Sequence, residues 1–276
     1  MRLLLFLLTS LLPLLAHAQS LEKLKSPIAE ISVENLDLIS FDTKDQLFAS
    51  TISGDIFLFS ENGQQLNLFS PARQGRLNQL EAAWTVNVFS FSADLQAYRI
   101  LDRFLNTLSE EGFLLSEVNL AKAATLGNNN VLWVWDESDL SLKSLDYQRN
   151  LVIQAQPLNL ILNAENLEVT EIREFKNRLF MNVPDTGIFI FDNQGNLMRK
   201  IAIKGINKMC YYNDHLLWID NGKLMAVSLT SEEIFALAQL ENTRSTYLQI
   251  GQERLAIVSK DKVSLYPTPD WIKALK

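Results

Sequence analysis

From residue 28 onward the chain is a succession of short runs in which apolar and polar positions alternate, and the runs come in pairs. The first of each pair reads Leu47-Phe48-Ala49, Val86-Asn87-Val88-Phe89, Leu132-Trp133-Val134-Trp135, Leu179-Phe180-Met181, Leu216-Leu217-Trp218-Ile219 and Leu255-Ala256-Ile257-Val258. The second occupies 56–59, 97–100, 140–142, 188–191, 224–227 and 263–266. These runs are rich in Val, Ile, Phe, Tyr and Trp and are bounded by Gly, Asn, Asp and Ser, which is strand chemistry rather than helix chemistry. Their connectors, such as Ser53-Gly54-Asp55, Pro184-Asp185-Thr186-Gly187 and Asn221-Gly222, are tight-turn sequences in which glycine supplies positive φ. Each pair is therefore expected to be a hairpin.

A phrase recurs where the second run ends. It starts at Phe59, Leu101, Leu145 and Phe191, at intervals of 42, 44 and 46 residues, and in the last three copies Asp102, Asp146 or Asp192 follows at once. A carboxylate at the end of a strand can accept hydrogen bonds from amides two residues on, so a polar turn is expected there. A further strand follows it, as at 66–69, 151–153 and 197–203, and another precedes each hairpin, as at 36–39 and 169–172. The hairpins themselves repeat at spacings of 41, 43, 48, 36 and 39 residues, which makes six units of four strands. Self-similarity of that period is the signature of a repeat architecture.

Six such units over residues 28–268 resemble a six-bladed β-propeller, and the expected fold is all-β, with four antiparallel strands in each blade. The Gly-x-Ile-Phe-x-Phe lead into the turn at 54–59, with a related lead at 187–191, is similar to blades of the NHL-like and TolB-like propellers in general and singles out no one family. Neither the Trp-Asp ending of WD-repeat blades nor the tryptophan-docking motif of quinone-enzyme blades is present. The sixth hairpin meets Pro267-Thr268-Pro269, which cannot continue a ladder. Its outer strand is therefore expected from the N-terminal segment Ile28-Ala29-Glu30-Ile31-Ser32-Val33, closing the ring.

Residues 1–18 carry Arg2, an apolar run from Leu3 to Leu15 and the small-x-small signal Ala16-His17-Ala18. That is the pattern of a cleaved export signal, and the run is shorter than the roughly 20 residues a membrane span needs. The expected domains are a signal at 1–18, a propeller at 19–268 and a short tail at 269–276. No cysteine lies near the cleavage signal, so lipid anchoring is not expected, and the lone Cys210 permits no internal disulfide. These features point to a bacterial periplasm or exterior. A net charge of −7 without a basic cluster argues against nucleic acid and anionic membrane surfaces as partners.

Candidate chemistry is sparse. His215 and Cys210 lack the partners that histidine metal sites or nucleophilic triads require, and read as structural residues. Asp136-Glu137-Ser138-Asp139 gathers three acids in one hairpin turn. Asp136, Glu137 and Asp139 are thus weak candidates for Ca²⁺, without the glycine and distal Glu of a helix-loop-helix calcium loop; no cofactor is otherwise expected. Trp133, Trp135 and Trp218 lie inside strands and read as core. Trp84, beside a strand start, is placed for the funnel around the axis. Trp271 lies in the tail, positioned to dock on the propeller or meet another protein. Arg73 and Arg76 share a polar crossing loop suited to a carboxylate. The segments 110–116 and 158–168 break the repeat and are expected to project where propellers bind.

The expected function is that of an exported, non-catalytic, monomeric scaffold for another protein or envelope macromolecule. The alternative implied by the resemblance is a lactonase-like hydrolase holding Ca²⁺ on the axis with Glu, Asn and Asp. Propellers of outer-membrane assembly machinery offer a third likeness, although they carry a lipidated cysteine that this chain lacks.

Overall fold

The computed structural model describes residues 21–82, 87–113, 116–128, 131–162 and 167–275; residues 1–18, expected to be an export signal, Trp84 and parts of the segments 110–116 and 158–168 lie outside them. Local turn chemistry sets the hairpins. Asp102 Oδ1 accepts from the amides of Phe104 and Asn106 at 2.8 and 2.9 Å, and Asp192 Oδ1 does the same for Gln194 and Asn196. In each of these turns one residue adopts positive φ, Leu105 at 69° and Gly195 at 77°. Asp146 caps Gln148 and Arg149, and Ser60 Oγ replaces the carboxylate in the first copy. A further copy, Asp42 capping Lys44 and Gln46, was not evident from the repeat, because it joins a first strand to a second.

The strand β1 (Ala29–Ser32) precedes the first full blade, β2 (Leu36–Phe41), β3 (Leu47–Thr51), β4 (Ile56–Phe59) and β5 (Gln65–Phe69). Blade 2 is β6 (Gln79–Glu81), β7 (Asn87–Ser92), β8 (Ala97–Asp102) and β9 (Thr107–Gly112). Blade 3 is β10 (Ala121–Leu126), β11 (Val131–Asp136), β12 (Ser141–Asp146) and β13 (Leu151–Pro157). Blade 4 is β14 (Glu171–Phe175), β15 (Arg178–Val183), β16 (Gly187–Phe191) and β17 (Leu197–Ile201). Blade 5 is β18 (Cys210–Tyr212), β19 (His215–Asp220), β20 (Lys223–Ser228) and β21 (Ile234–Gln239). Blade 6 takes β22 (Tyr247–Ile250), β23 (Arg254–Ser259) and β24 (Lys262–Pro267) from the end of the chain, and β1 from its start.

All ladders are antiparallel, and the molecule is a six-bladed β-propeller. Two expectations shift in detail. Leu140 is a turn residue at φ 53°, so β12 begins one residue later than the sequence suggests. Residues 110–112 finish β9 rather than forming an insertion, and the crossing to blade 3 starts at Phe113.

The core is divided. One apolar layer lies between each pair of neighbouring blades, because alternate residues of a central strand point to opposite faces and both faces are covered. Phe48, Ile56 and Leu58 of blade 1 meet Leu80, Val88 and Leu101 of blade 2. Trp133 and Trp135 lie together in the layer between blades 3 and 4 and are 4% and 0% exposed, so both are core as expected. Trp218 is core between blades 4 and 5.

Closure follows the expected route. Ile31 pairs with Val263 and Ala29 with Leu265, and Ile31 and Val33 join the layer that also holds Ile39, Phe41 and Leu47 of blade 1. Ile31→Ala should lower stability by about 2–4 kcal/mol. Glu30→Ala, on the opposite face of β1, removes only an exposed ion pair with Lys262 at 2.6 Å and should cost under about 1 kcal/mol. Urea unfolding of the two variants measures the difference; equal costs would mean that β1 does not seal the ring.

Candidate functional site

Strict up-and-down antiparallel blades put the crossing loops and the second-to-third-strand turns on one face, here the upper, and the remaining turns on the lower face. The first strands line the axis: β2 touches β6, β6 touches β10, β10 touches β14, and β22 touches both β18 and β2. Between β14 and β18 the Met209 amide donates to Glu171 Oε2 at 3.0 Å.

The axis is filled by polar side chains. Gln79 and Glu81 of β6, Thr125 of β10, Glu171 and Arg173 of β14 and Gln249 of β22 are all buried. Glu81 Oε1 accepts from Gln79 Nε2 at 2.5 Å and from Thr125 Oγ1 at 2.7 Å. Burial pushes the Glu81 carboxyl above its ordinary range, against the opposing pull of Arg173 and these two hydrogen bonds. Gln249 Nε2 reaches the Met209 carbonyl at 3.4 Å. Two glutamates share this space with one permanent guanidinium cation, and their donors come from the protein itself. Among the described residues no cluster of three or more His, Cys, Asp or Glu is placed to hold a metal ion.

At the lower mouth a cavity of about 290 Å³ is lined by Phe41, Phe175, Tyr211, Tyr212, Asn213 and Gln252, among others. Phe175 and Tyr211 stack with ring centroids 4.8 Å apart. Lys176 lies over the Phe175 ring and pairs with Asp214 at 3.0 Å, so its charge is already matched. The tail borders this mouth. Its short helix α1 (Asp270–Lys273) inserts Ile272, and with Leu275 and the half-buried Trp271 it joins the apolar layer between blades 5 and 6. Asn213 Nδ2 donates to the Leu275 carbonyl at 2.6 Å. Trp271 thus docks onto the propeller, one of the two roles its position suggested.

On the upper face the crossing loop of blade 1 is anchored by a close backbone approach. The Gly75 amide donates to the Ser53 carbonyl at 3.1 Å, and a Cβ on Gly54, at φ 92°, would strike the Gly75 carbonyl. Arg76 forks onto Asp37 through two bonds of 2.8 Å, so the carboxylate it holds is the chain's own. The Arg73 side chain is exposed, while its carbonyl accepts from the buried Arg99 at 3.0 Å.

The acidic turn of blade 3 is organised by a lysine that reasoning from sequence passed over. Lys143 Nζ donates to Asp136 Oδ2 and Asp139 Oδ2, each at 2.8 Å, and to the Glu117 carbonyl at 2.7 Å. Asp136 is fully buried and also accepts from the amides of Asn119, Leu120 and Ser138. Burial pushes its carboxyl up, but the bonds from Lys143, Ser138 and Asn119 outweigh burial and hold it down to about 2. Glu137 points elsewhere, to Lys122 at 3.2 Å. The only sequence signal was a lysine among the strand residues Leu142-Lys143-Ser144-Leu145.

His215 is the buried first residue of β19, packed edge-on to Phe235 at 5.9 Å, and burial lowers its pKa. Burial pushes the Cys210 thiol up to about 12, which leaves it un-ionised and unreactive at neutral pH.

Exposed apolar side chains are spread over several blades, among them Leu66 and Leu68 of β5 and Leu108 of β9, and four of them fall in blade 3 and the crossing after it. Leu160 is 86% and Ile161 41% exposed in the crossing from blade 3 to blade 4, next to the outer strand β13, where Leu151 is 56% and Ile153 60% exposed.

No protein-family model matches this chain, and no curated protein matches it. Solved propellers do. The WD40 domain of Pan2 from Neurospora crassa is 10% identical, with a TM-score of 0.60 over 86% of this chain and 81% of that one. The β-propeller domain of Cps50 (Swd1) from Myceliophteria thermophila is 11% identical, with a TM-score of 0.63 over 88% of this chain and 99% of that one. BamB from Moraxella catarrhalis is 12% identical over 83% of this chain and 70% of that one, at a TM-score of 0.43. At these identities the likeness establishes the propeller fold alone.

The Asp136–Lys143 pair yields a test. Asp136→Asn strips a buried ammonium of one of its two carboxylates and should cost about 3 kcal/mol at pH 7. Because the folded carboxyl titrates below an unfolded aspartate, its contribution is complete above about pH 4 and is lost as the pH falls through about 2. The gap in denaturant stability between wild type and variant should therefore shrink as the pH is taken from about 4 to 2.

Proposed function

We propose that this chain is an exported, non-catalytic scaffold that binds another protein. The observation that carries the reading is the set of exposed apolar residues Leu151 and Ile153 on β13 and Leu160 and Ile161 in the crossing after it, where the chain departs from its repeat. Solvent-facing apolar residues in a contiguous group mark interaction surfaces in soluble proteins. The acidic turn agrees with this reading, because Asp136 and Asp139 are bonded to Lys143. A hydrolase with Ca²⁺ on the axis is not favoured, since Arg173 already supplies a fixed cation among Glu81 and Glu171. Export rests on the sequence of residues 1–18. No helix of the described residues is long and apolar enough to cross a membrane.

Two measurements test this. N-terminal sequencing of the protein recovered from the envelope fraction should begin at Gln19; retention of residues 1–18 in the cytosol would end the export reading. Immobilised mature protein should retain a defined partner from an envelope extract, and the double variant L160D/I161D should retain at least tenfold less of it. Equal retention, or none by either form, would argue against a binding surface here.

A further inference from the structure

We propose that β13 is a docking edge which takes an extended, uncharged segment of a partner protein as an added strand. This rests on the protein-binding reading and specifies how the partner binds.

An outermost strand presents a row of unpaired backbone N–H and C=O groups, and proteins guard such rows with charge or with a covering segment. Most blades here follow that rule. The outer strand β9 carries Glu110 and Glu111, β17 carries Arg199 and Lys200, and β1 carries Glu30. The edge of β21 is uncharged but is covered in cis. The Glu22 amide donates to the Leu237 carbonyl at 3.2 Å, and the Gln239 amide donates to the Glu22 carbonyl at 3.1 Å, a parallel bridge laid on the blade by the segment ahead of β1. β5 is also uncharged and exposes Leu66 and Leu68, but it is shorter, at five residues.

Among the described residues β13 carries neither a charge nor a covering segment; its central Gln154 donates to the Gln194 carbonyl of the next blade at 2.6 Å, as Asn67 of β5 does to Phe104, so such a tie does not distinguish the two edges. β13 is the longest strand of the described residues at seven, reads Leu-Val-Ile-Gln-Ala-Gln-Pro and bears no charge. Its burial alternates in the unusual sense. Leu151, Ile153, Ala155 and Pro157 are exposed, while Val152, Gln154 and Gln156 are half-buried. The solvent row of an outer strand is ordinarily the polar one; here it is wholly apolar. At its upper end the row runs on into Leu160 and Ile161.

The occupant's chemistry follows from these facts. An extended segment is the form of cover this chain itself lays on a comparable uncharged edge. Strand addition supplies affinity through main-chain hydrogen bonds, and alternate side chains supply specificity. Those facing Leu151, Ile153 and Ala155 must be apolar, because a charge placed there would lose its water without gaining a partner.

The test uses the full mature chain in cells that produce it, with a photo-crosslinking benzophenone residue placed singly at 151, 153 or 155, and at 68 on β5 as a control. Capture is also measured with I153K and A155K, whose melting should match wild type because both side chains are exposed. The expected result is one partner, linked from 151, 153 and 155 to residues spaced by two along a single segment, and captured at least tenfold less by either lysine variant. Links to a second copy of this chain, to scattered positions, or to a helix would overturn the strand-addition proposal and leave protein binding intact. So would capture undiminished by I153K and A155K. No partner at any of the four positions would remove the protein-binding reading itself.

Discussion

A blade of this protein is a sheet with two apolar faces, and a sheet with two apolar faces has no stable existence by itself. Every one of the six layers is shared between two blades, so each blade depends on both neighbours, and the dependence runs round to the seam where the ends of the chain meet. There β1 supplies the strand that β24 lacks. The seam is also laced with polar contacts. Asp45 accepts from the amides of Gln252 and Glu253 at 2.6 and 2.9 Å, Tyr247 donates to the Asp37 carbonyl at 2.8 Å, and Arg254 reaches the Glu61 carbonyl at 3.1 Å. The carboxylate of Asp45 lies so close to Gly251 that a Cβ at that position would have no room. Burying a carboxylate is costly unless it is hydrogen-bonded, and here its bonds join the first blade to the last. An opened ring would expose two apolar faces and this carboxylate together.

The repeat made the blades legible because its marks are local. Asp102 and Asp192 fold the four residues that follow them by their own hydrogen bonds, and positive φ falls on turn glycines such as Gly54, Gly187 and Gly195 and on Asn221. Ring closure could also be read, from a proline-ended last hairpin and an unpaired strand near the start. Charges inside strands were opaque. Glu81, Glu171 and Arg173 lie on innermost strands, and nothing local separates an innermost strand from the next one outward; only the ring brings blades 2 and 4 together across the axis. Lys143 and Asp136 are neighbours through the ladder of β11 and β12, so the acids were visible in sequence and the cation that answers them was not.

That pairing changes what the acidic turn means. A hairpin rich in carboxylates invites a cation, and the chain provides one covalently. On the axis, too, an arginine stands among glutamates. At the acidic turn Lys143, with the bonds from Ser138 and Asn119, outweighs the cost of burying Asp136, whereas on the axis Arg173 offsets only part of the cost of burying Glu81, whose carboxyl stays above its ordinary range.

What the interior resolves, the rim leaves open. Water-facing positions of an outer strand carry no packing constraint and change freely to polar residues, so an apolar row there has no explanation in the stability of the isolated ring. The bulge that recurs between the third and fourth strands of blades 1 to 4, at Leu58/Phe59, Ile100/Leu101, Ser144/Leu145 and Ile190/Phe191, falls at the start of each of those outer strands. Blade geometry therefore does not set β13 apart. Sequence does: length, lack of charge and an exposed row of Leu151, Ile153 and Ala155 coincide on one edge, beside the crossing that departs most from the repeat. A scaffold whose blades are interchangeable in outline can still bind at one of them, provided that one edge is left unguarded.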